Sequence, residues 1–145
     1  MDWVREASVA RLWPNRVLVQ VSERTPVAFL PLRDSKFGLI DEDGVVLTPV
    51  ADRFHLPVLK GVAVSDPIAD RRERVHRMLR LVADLGSETT QKLSEIDVGD
   101  RENLKITQAF DGKFLTLHLG DRNFAKRYAS FKEGATVCYH DSAQK

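Results

Sequence analysis

Three tight-turn signals, each set between two apolar runs, limit the possible folds of this chain more than any other feature. They are Pro14-Asn15, the acidic tetrapeptide DEDG at residues 41–44, and Asp111-Gly112. Proline fixes the backbone angle φ, while asparagine, aspartate and glycine accept the unusual conformations of tight turns. Strands joined by such short turns pair in the antiparallel sense. The chain is therefore predicted to contain several antiparallel β-hairpins.

The residues around these turns follow the two-residue period of half-buried strands. Val17, Val19 and Val21 alternate with polar residues in the strand predicted at 16–23, and residues 5–12 form a weaker partner strand. A short apolar segment with proline at its edge lies at 56–61. The remaining strands are predicted at 27–30, 36–41, 45–47, 93–98, 103–108 and 113–119.

The clearest helix is predicted at residues 68–85, where apolar residues recur with a 3.6-residue spacing. Asp66 is the predicted N-cap, because its carboxylate can accept backbone N–H groups of the first turn. Pro67 suits the first helical position, and Gly86 suits the C-terminal cap.

Asp121 is the predicted N-cap of a second helix, which carries Phe124, Tyr128 and Phe131 on one face. The order of elements is then strands, helix, strands, helix. A chain of 145 residues with 43% hydrophobic residues is long enough for one ordinary domain with a single core. The predicted fold class is α+β, a mainly antiparallel β-sheet with two packed helices.

Charge and cysteine content narrow the possible functions. The formal net charge is +1, whereas dedicated nucleic-acid binders usually carry a clear basic excess. Cys138 is the single cysteine, so no intrachain disulfide framework or cysteine-rich metal site is expected. The sequence has neither an 18-residue apolar run nor a signal peptide. The chain is therefore either cytoplasmic or a part of something longer.

The motifs of common catalytic and metal sites are absent from the sequence. His55, His76, His118 and His140 do not share ligand spacing, and no phosphate-binding glycine loop or nucleophile elbow occurs. The DEDG tetrapeptide lacks the other ligands of a calcium loop, which favours an acidic turn. The chain is predicted to be no enzyme and to hold no cofactor or metal. A protein with several strand edges and no reactive site most often works by binding.

The predicted helix at 68–85 has a basic outer face. One interpretation is a patch for nucleic acid or acidic lipid; the favoured one is a solvated face with ion pairs Asp70–Arg74 and Glu73–Arg77 at i,i+4. Trp3 and Trp13 are either exposed anchors for a partner or packing residues. The basic face comprises Arg71, Arg72, Arg74, Arg77 and Arg80.

Five motifs, in the same order and spacing, resemble the FtsQ/DivIB family of bacterial cell-division proteins. Residues 3–15 (WVREASVARLWPN) are similar to the family pattern W-V-x-x-A-S-V-x-R-x-W-P, and residues 17–28 to L-x-V-x-V-x-E-x-x-P-V-A. Residues 39–46 (LIDEDGVV) and 56–61 (LPVLKG) resemble L-V-D-x-x-G-x-x and L-P-x-L-x-G. The segment LHLG at 117–120, followed by the predicted second helix, completes the resemblance.

The resemblance implies an architecture and a role. Residues 1–25 would be the C-terminal hairpin of a POTRA domain, and residues 26–145 the β domain. The full-length protein would be anchored in the cell inner membrane by a single helix, with this region periplasmic and at the division septum. The implied function is a non-enzymatic scaffold of the divisome that is required for septum assembly and binds no nucleic acid.

The resemblance also implies partners and binding residues. FtsB and FtsL would bind by strand addition, and FtsK would act through the POTRA region. Positions linked to recruitment in the family fall on Glu6, Val9 and Arg11, and the acid at the domain junction is Glu23. An arginine that contacts FtsB in the family corresponds to Arg101.

The sequence departs from the family pattern at its C-terminus. The second helix is expected to stop at Gly134, and the family then adds a strand like V-D-L-R-Y that pairs with FtsB. Either Tyr139, in residues 137–142, stands in for the tyrosine of that strand, or the strand is absent. An exposed edge of the first hairpin also invites pairing with a second copy of the chain.

Overall fold

The computed structural model describes residues 3–49 and 54–143 and contains two sheets and two long helices. The first helix, α1, spans Ile68–Leu85, the short α2 spans Ser87–Thr90, and α3 spans Phe124–Ala143. A single 3₁₀ turn occupies Arg33–Ser35. The strands are β1 (Val4–Leu12), β2 (Arg16–Glu23), β3 (Pro26–Pro31), β4 (Phe37–Asp41), β5 (Val46–Leu47), β6 (Val58–Lys60), β7 (Leu93–Asp97), β8 (Leu104–Phe110) and β9 (Lys113–Gly120).

Strands β1 and β2 form a separate two-stranded antiparallel hairpin, and the other strands form one sheet in the order β5-β4-β3-β6-β7-β8-β9. The three predicted hairpins are confirmed, each around its predicted turn. The α+β class is confirmed as well. The chain positions of all the predicted strands and of α1, and the start of α3, agree with the structure to within a few residues.

Strand β6 differs from a purely antiparallel arrangement. It lies in the middle of the sheet and pairs in the parallel sense with both β3 and β7. Parallel neighbours need a long crossover connection, and α1 provides it between β6 and β7. Tight-turn signals mark antiparallel neighbours alone, which is why the sequence indicated a short apolar segment here but not its central place.

The core lies between the sheet and the helices. Leu30, Leu59, Ile96 and Ile106 are fully buried in the sheet, and they cluster with Val75, Met78 and Leu81 of α1 and with Phe124 of α3. Burying one such side chain stabilises the fold by about 1.5–3 kcal/mol. The predicted apolar face of the second helix is confirmed at Phe124 and Tyr128, which pack against this core.

The first turns of the two helices differ from the prediction. Helix α1 begins at Ile68 with Pro67 at the cap position, and Asp66 makes no capping bond. Its Oδ2 atom instead accepts the Ala63 N–H at 2.9 Å and pairs with Arg74. At α3 the carboxylate that accepts an N–H group, from Ala125 at 3.1 Å, belongs to Asp84 of α1.

Asp121 was the predicted cap of α3, and it pairs with Arg122 instead. The helix begins three residues later, at Phe124, so Asp121 precedes the position from which a side chain caps a first turn. The predicted end of α1 is confirmed, because the Gly86 N–H donates to the Val82 carbonyl at 2.9 Å.

Helix α3 continues to Ala143, so the prediction that it stops at Gly134 is wrong. One glycine inside a helix costs only about 1 kcal/mol relative to alanine, and no proline follows it to force an end. Residues 137–142 are therefore helical and form no docking strand. The side chain of Tyr139 lies outside the described residues, and its role in partner binding stays a prediction.

Candidate partner-binding site

The long sheet ends in two edge strands of very different length. Strand β5 has two residues, whereas β9 has eight and pairs through its inner side with β8. Among the described residues, no strand lies against the outer side of β9. An edge strand presents a row of N–H and C=O groups that another chain can pair with. Residues 114–120 of β9 are called the docking edge below.

A small apolar hollow lies beside the docking edge, between β9 and α3. Its walls include Phe110, Leu115, Leu117 and Phe131. Phe131 is 38% exposed and Phe114, on the other face of β9, is 71% exposed. Side chains of an added strand alternate between the two faces of a sheet. Apolar groups of a partner could therefore contact the hollow on one face and Phe114 on the other.

A polar cleft of about 400 Å³ lies at the end of the docking edge, where Gly120 leads into Asp121. It combines three guanidinium groups with two carboxylates, next to the buried start of β8. We call it the arginine cleft. It is lined by Glu73, Arg77, Arg80, Arg101, Leu104, Asp121 and Phe124.

Glu73 organises the charges of the arginine cleft. Its Oε1 atom accepts a hydrogen bond from Arg77 Nη2 at 2.8 Å and another from Arg101. These two guanidinium groups, Arg77 first, lower the pKa of Glu73 to about 2, because they stabilise the ionised carboxylate. Arg77 also donates to the Val98 carbonyl at 3.2 Å. The loop that carries Arg101 is thus attached to α1.

Arg80 is one of two exposed cations that line the cleft, the other being Arg101. In the described part of the chain no carboxylate pairs with the guanidinium group of Arg80. A guanidinium group presents donors in a planar fork that matches a carboxylate. Among the described residues, the cleft therefore has one cation, Arg80, without an acidic partner, and a second, Arg101, that shares its partner Glu73 with Arg77.

The other arginines of α1 bind the protein itself. Arg71 donates to the Val64 carbonyl at 2.8 Å, Arg72 to the Asp43 carbonyl at 3.3 Å, and Arg74 to the Gly61 carbonyl at 3.2 Å. The predicted Glu73–Arg77 pair is confirmed.

The predicted Asp70–Arg74 pair is wrong, because Arg74 turns to Asp66. Asp66 lies in the same loop as Gly61, whose carbonyl also accepts a hydrogen bond from Arg74. The Ala63 N–H and Arg74 lower the pKa of Asp66. Most of the basic face therefore holds loops against α1.

The structure places the predicted binding residues in four separate regions. Val9 and Arg11 share one face of β1, while Glu6 is on the opposite face, as the pairings Glu6↔Ser22 and Val9↔Val19 show. Glu23 ends β2, Arg101 lines the arginine cleft, and Tyr139 is on α3. Only Arg101 lies at the site described above.

Sequence reasoning missed the charged junction between the two sheets. Arg24 Nη1 lies 2.7 Å from Asp41 Oδ2 and 3.3 Å from Asp43 Oδ2. The side chain of Asp41 is only 2% exposed. An arginine in the bend and an acid that ends an apolar strand were the available signals. The pKa of Arg24 is raised, mainly by its hydrogen bond to Asp41.

The two tryptophans prove to differ. Trp3 packs: its ring stacks on Phe54 at a centroid distance of 6.4 Å, and its Nε1–H donates to the Thr48 carbonyl at 3.0 Å. Trp13 is 94% exposed at the tip of the hairpin. Of the two interpretations of the tryptophans, packing holds for Trp3.

Among the side chains that the structure describes, no three His, Cys, Asp or Glu residues are grouped as a metal site. Across residues 3–49 and 54–143, no helix is both long and apolar enough to span a bilayer. His118 makes a 2.9 Å hydrogen bond with Asn103.

Comparison with known proteins identifies one family. The family described as cell division protein FtsQ/DivIB, C-terminal, matches residues 28–137. The cell division protein FtsQ of Koribacter versatilis is 37% identical over 135 residues, which is 88% of this chain and 38% of that protein. FtsQ of Novosphingobium aromaticivorans is 35% identical over 135 residues, covering 90% of this chain and 38% of that protein. FtsQ of Myxococcus fulvus is 34% identical over 128 residues, or 82% of this chain and 43% of that protein.

A solved structure is also similar. It is the major extracytoplasmic domain of the trans isomer of the bacterial cell division protein DivIB from Geobacillus stearothermophilus, with a TM-score of 0.43 and 21% identity. The match covers 74% of this chain and 87% of that one. Against the three curated relatives above, this chain spans between 38% and 43% of their length.

Proposed function

Because the chain belongs to the FtsQ/DivIB family of bacterial cell division proteins, we propose that it is part of a non-enzymatic scaffold of the divisome. In this proposal it lies outside the inner membrane, at the septum, in a protein anchored by a single membrane helix. Its partners are proteins of the FtsB and FtsL type, which bind by strand addition.

The docking edge is the observation that carries this proposal. It is the long open edge of the seven-stranded sheet in the described part of the chain. Main-chain hydrogen bonds along such an edge supply affinity to an added strand, and pockets for alternate side chains supply specificity. The apolar hollow beside Leu115 and Leu117 provides such a pocket.

The arginine cleft adds a charge requirement to the partner. A strand that pairs with residues 114–120 ends or begins next to Asp121, which is also part of the cleft wall. An acidic residue just outside the paired segment would then meet Arg80 and Arg101. The proposed partner is therefore a short extended segment with alternating apolar side chains and a carboxylate at one end.

This partner geometry replaces the one that the sequence suggested. Residues 137–142 are helical, so the proposed docking strand is β9 rather than a C-terminal strand around Tyr139. Recruitment through Glu6, Val9 and Arg11, with an FtsK-type partner, remains part of the proposal. These three residues are exposed on the hairpin.

The alternative function, binding of nucleic acid or acidic lipid by the arginines of α1, has less support. Four of the five guanidinium groups donate to backbone carbonyls of the protein. A patch that reads phosphates needs its cations available to solvent. Arg80 alone of this set has no such bond among the described residues.

Calorimetry with the extracytoplasmic segment of the cognate FtsB tests the proposal. Micromolar or tighter binding is expected, and Arg101→Ala or Arg80→Ala is expected to weaken it about tenfold each, through loss of a charge-assisted hydrogen bond. Arg33→Ala, an exposed arginine in the 3₁₀ turn, is the matched control and should bind like the parent chain. Absence of binding by the folded chain, or equal loss in the Arg33 control, would refute the proposed site.

A further inference from the structure

Only Arg24 and Thr25 separate the hairpin from the seven-stranded sheet, and Arg24 contacts both sides of this connection. Its backbone N–H donates to the Trp3 carbonyl at 2.7 Å, which ties the two ends of the hairpin together. Its guanidinium group reaches into the β4–β5 turn, at 2.7 Å from Asp41 and 3.3 Å from Asp43. Arg24 thus bonds to the hairpin through its backbone N–H and to the sheet through its side chain.

Hydrogen bonds within its own turn fix the carboxylate of Asp41 independently of Arg24. Its Oδ1 atom accepts the N–H groups of Asp43 at 3.0 Å and Val45 at 2.8 Å, within its own turn. The other oxygen, Oδ2, is left for Arg24. Because this carboxylate is buried and bonded on one side, it can receive the guanidinium group in a single direction.

Two further contacts join the hairpin to the same region. Arg5 of β1 lies 2.8 Å from Glu42 and 3.4 Å from Asp43. Trp3 donates to the Thr48 carbonyl and stacks on Phe54. The hairpin therefore has three anchors, and two of them end on the acidic turn at residues 41–44.

The acidic turn is in turn fixed to α1. Arg72 donates to the Asp43 carbonyl at 3.3 Å. Gly44 has φ of +81°, and a Cβ atom there would lie 2.7 Å from the Arg72 nitrogen, so turn and helix are in close backbone contact. The same helix carries Glu73 and Arg80 of the arginine cleft.

We propose that Arg24 is a positioning residue: its ion pairs with Asp41 and Asp43 fix the direction of the β1–β2 hairpin relative to the seven-stranded sheet. Through the acidic turn and α1, the hairpin and the arginine cleft then form one rigid frame. A molecule that binds the hairpin is held at a set distance from one that binds the sheet. This inference does not depend on the proposed function.

Distance measurements between spin labels test the positioning role in the full 145-residue chain. Labels are attached at Ser8→Cys on the hairpin and Thr116→Cys on β9, in a Cys138→Ser background. The parent chain should give one narrow distance distribution. Arg24→Met should broaden it about twofold or more, because the remaining anchors are the exposed Arg5 pairs and the Trp3 contacts, and exposed ion pairs hold two units joined by a two-residue linker only weakly.

Asp41→Asn is the sharper variant. Asparagine keeps the side-chain oxygen that accepts the turn N–H groups but replaces the oxygen facing Arg24 with a donor. The same broadening is expected for Asp41→Asn. Arg24→Lys should give a narrower distribution than Arg24→Met, because it keeps a cation at the junction. Arg122→Met, which removes the exposed pair with Asp121, is the control and should leave the distribution unchanged.

A merely structural role would give a different pattern. In that case Arg24→Met lowers the thermal midpoint while the distance distribution keeps its width. This result would overturn the proposal, and so would a broad distribution in the parent chain. If Arg24→Met does not fold, Asp43→Asn removes the longer of the two ion pairs, and unchanged width in both Asp41→Asn and Asp43→Asn would likewise overturn it.

Discussion

The hairpin and the seven-stranded sheet use the same alternating apolar pattern with opposite results. Val9, Val17, Val19 and Val21 of the hairpin are 51–69% exposed, whereas the apolar residues of β3 and β8 that point to the helices are buried. The difference is the cover: α1 and α3 pack on the long sheet, and no described element covers the valines of the hairpin. Alternation thus predicts a strand but not what lies on its apolar face.

The largest expected difference in the free energy of unfolding is between substitutions of core residues and substitutions of hairpin residues. Ile96→Ala removes a fully buried side chain and should lower the free energy of unfolding by about 2–5 kcal/mol, through lost burial and a cavity. Val19→Ala, at a position that is 56% exposed, should change it by less than about 0.5 kcal/mol. Chemical denaturation of both variants measures the contrast. Similar losses would mean that the valine face is covered in solution.

Substitutions at the charged junction between the hairpin and the sheet should lower the free energy of unfolding by an intermediate amount. Asp41→Ala removes the main partner of Arg24, whose side chain is only 17% exposed. It also leaves the backbone N–H groups of Asp43 and Val45 without their acceptor. The expected loss of unfolding free energy is about 1–3 kcal/mol. Arg5→Met breaks pairs that are about half exposed, and the loss should stay below about 1 kcal/mol. Equal losses of unfolding free energy in denaturant titrations of Asp41→Ala and Arg5→Met would show that burial does not distinguish the Arg24 pairs from the Arg5 pairs.

Two turn glycines with positive φ make a narrower comparison. Gly44, at φ +81°, abuts the Arg72 backbone, whereas Gly112, at φ +78°, has open space where a Cβ atom would be. Gly112→Ala should cost about 1–2 kcal/mol from the left-handed conformation alone. Gly44→Ala should cost more, because the turn must also move away from α1. Thermal unfolding of the pair decides, and the reverse order would contradict the packing of the acidic turn on α1.

The smallest expected effect concerns pH. The pKa of Glu73 is lowered from its ordinary value of 4.5 to about 2 by Arg77 and Arg101. A depressed carboxylate pKa contributes stability that is present above about 4.5 and is lost as pH falls through about 2. The carboxyl carbon of Glu73 in NMR titrations should therefore still report the ionised form at pH 3.5. In Arg77→Met the midpoint should rise, and an unchanged midpoint would assign the shift to another cause.

Local signals were sufficient for most of the fold. The hairpins follow from short turns, and α1 follows from its apolar spacing and from Gly86, since these depend on neighbours in sequence. The central place of β6 depends on a crossover through α1, which no local pattern marks. The extent of α3 could not be predicted from Gly134, because a single glycine weakens a helix without ending it, and no proline follows to stop it.

The candidate site was harder to predict than the fold. The family resemblance indicated Arg101 as a partner contact, but the ion pair of Arg101 with Glu73 joins a loop to α1 and forms only in the folded chain, unlike the local i,i+4 pair of Glu73 with Arg77. The same holds for the capture of Arg74 by Asp66 rather than Asp70. Choosing among possible ion pairs requires the positions of loops, and these are set by tertiary contacts.

Amide hydrogen exchange with and without the extracytoplasmic FtsB segment tests the central claim most directly. The claim is that residues 114–120 accept a strand from the partner. Added main-chain hydrogen bonds should slow exchange selectively along these residues, while amides of β1 and β2 keep their rates. Binding that leaves residues 114–120 unprotected, or that protects the hairpin instead, would contradict the account and move the docking surface away from β9.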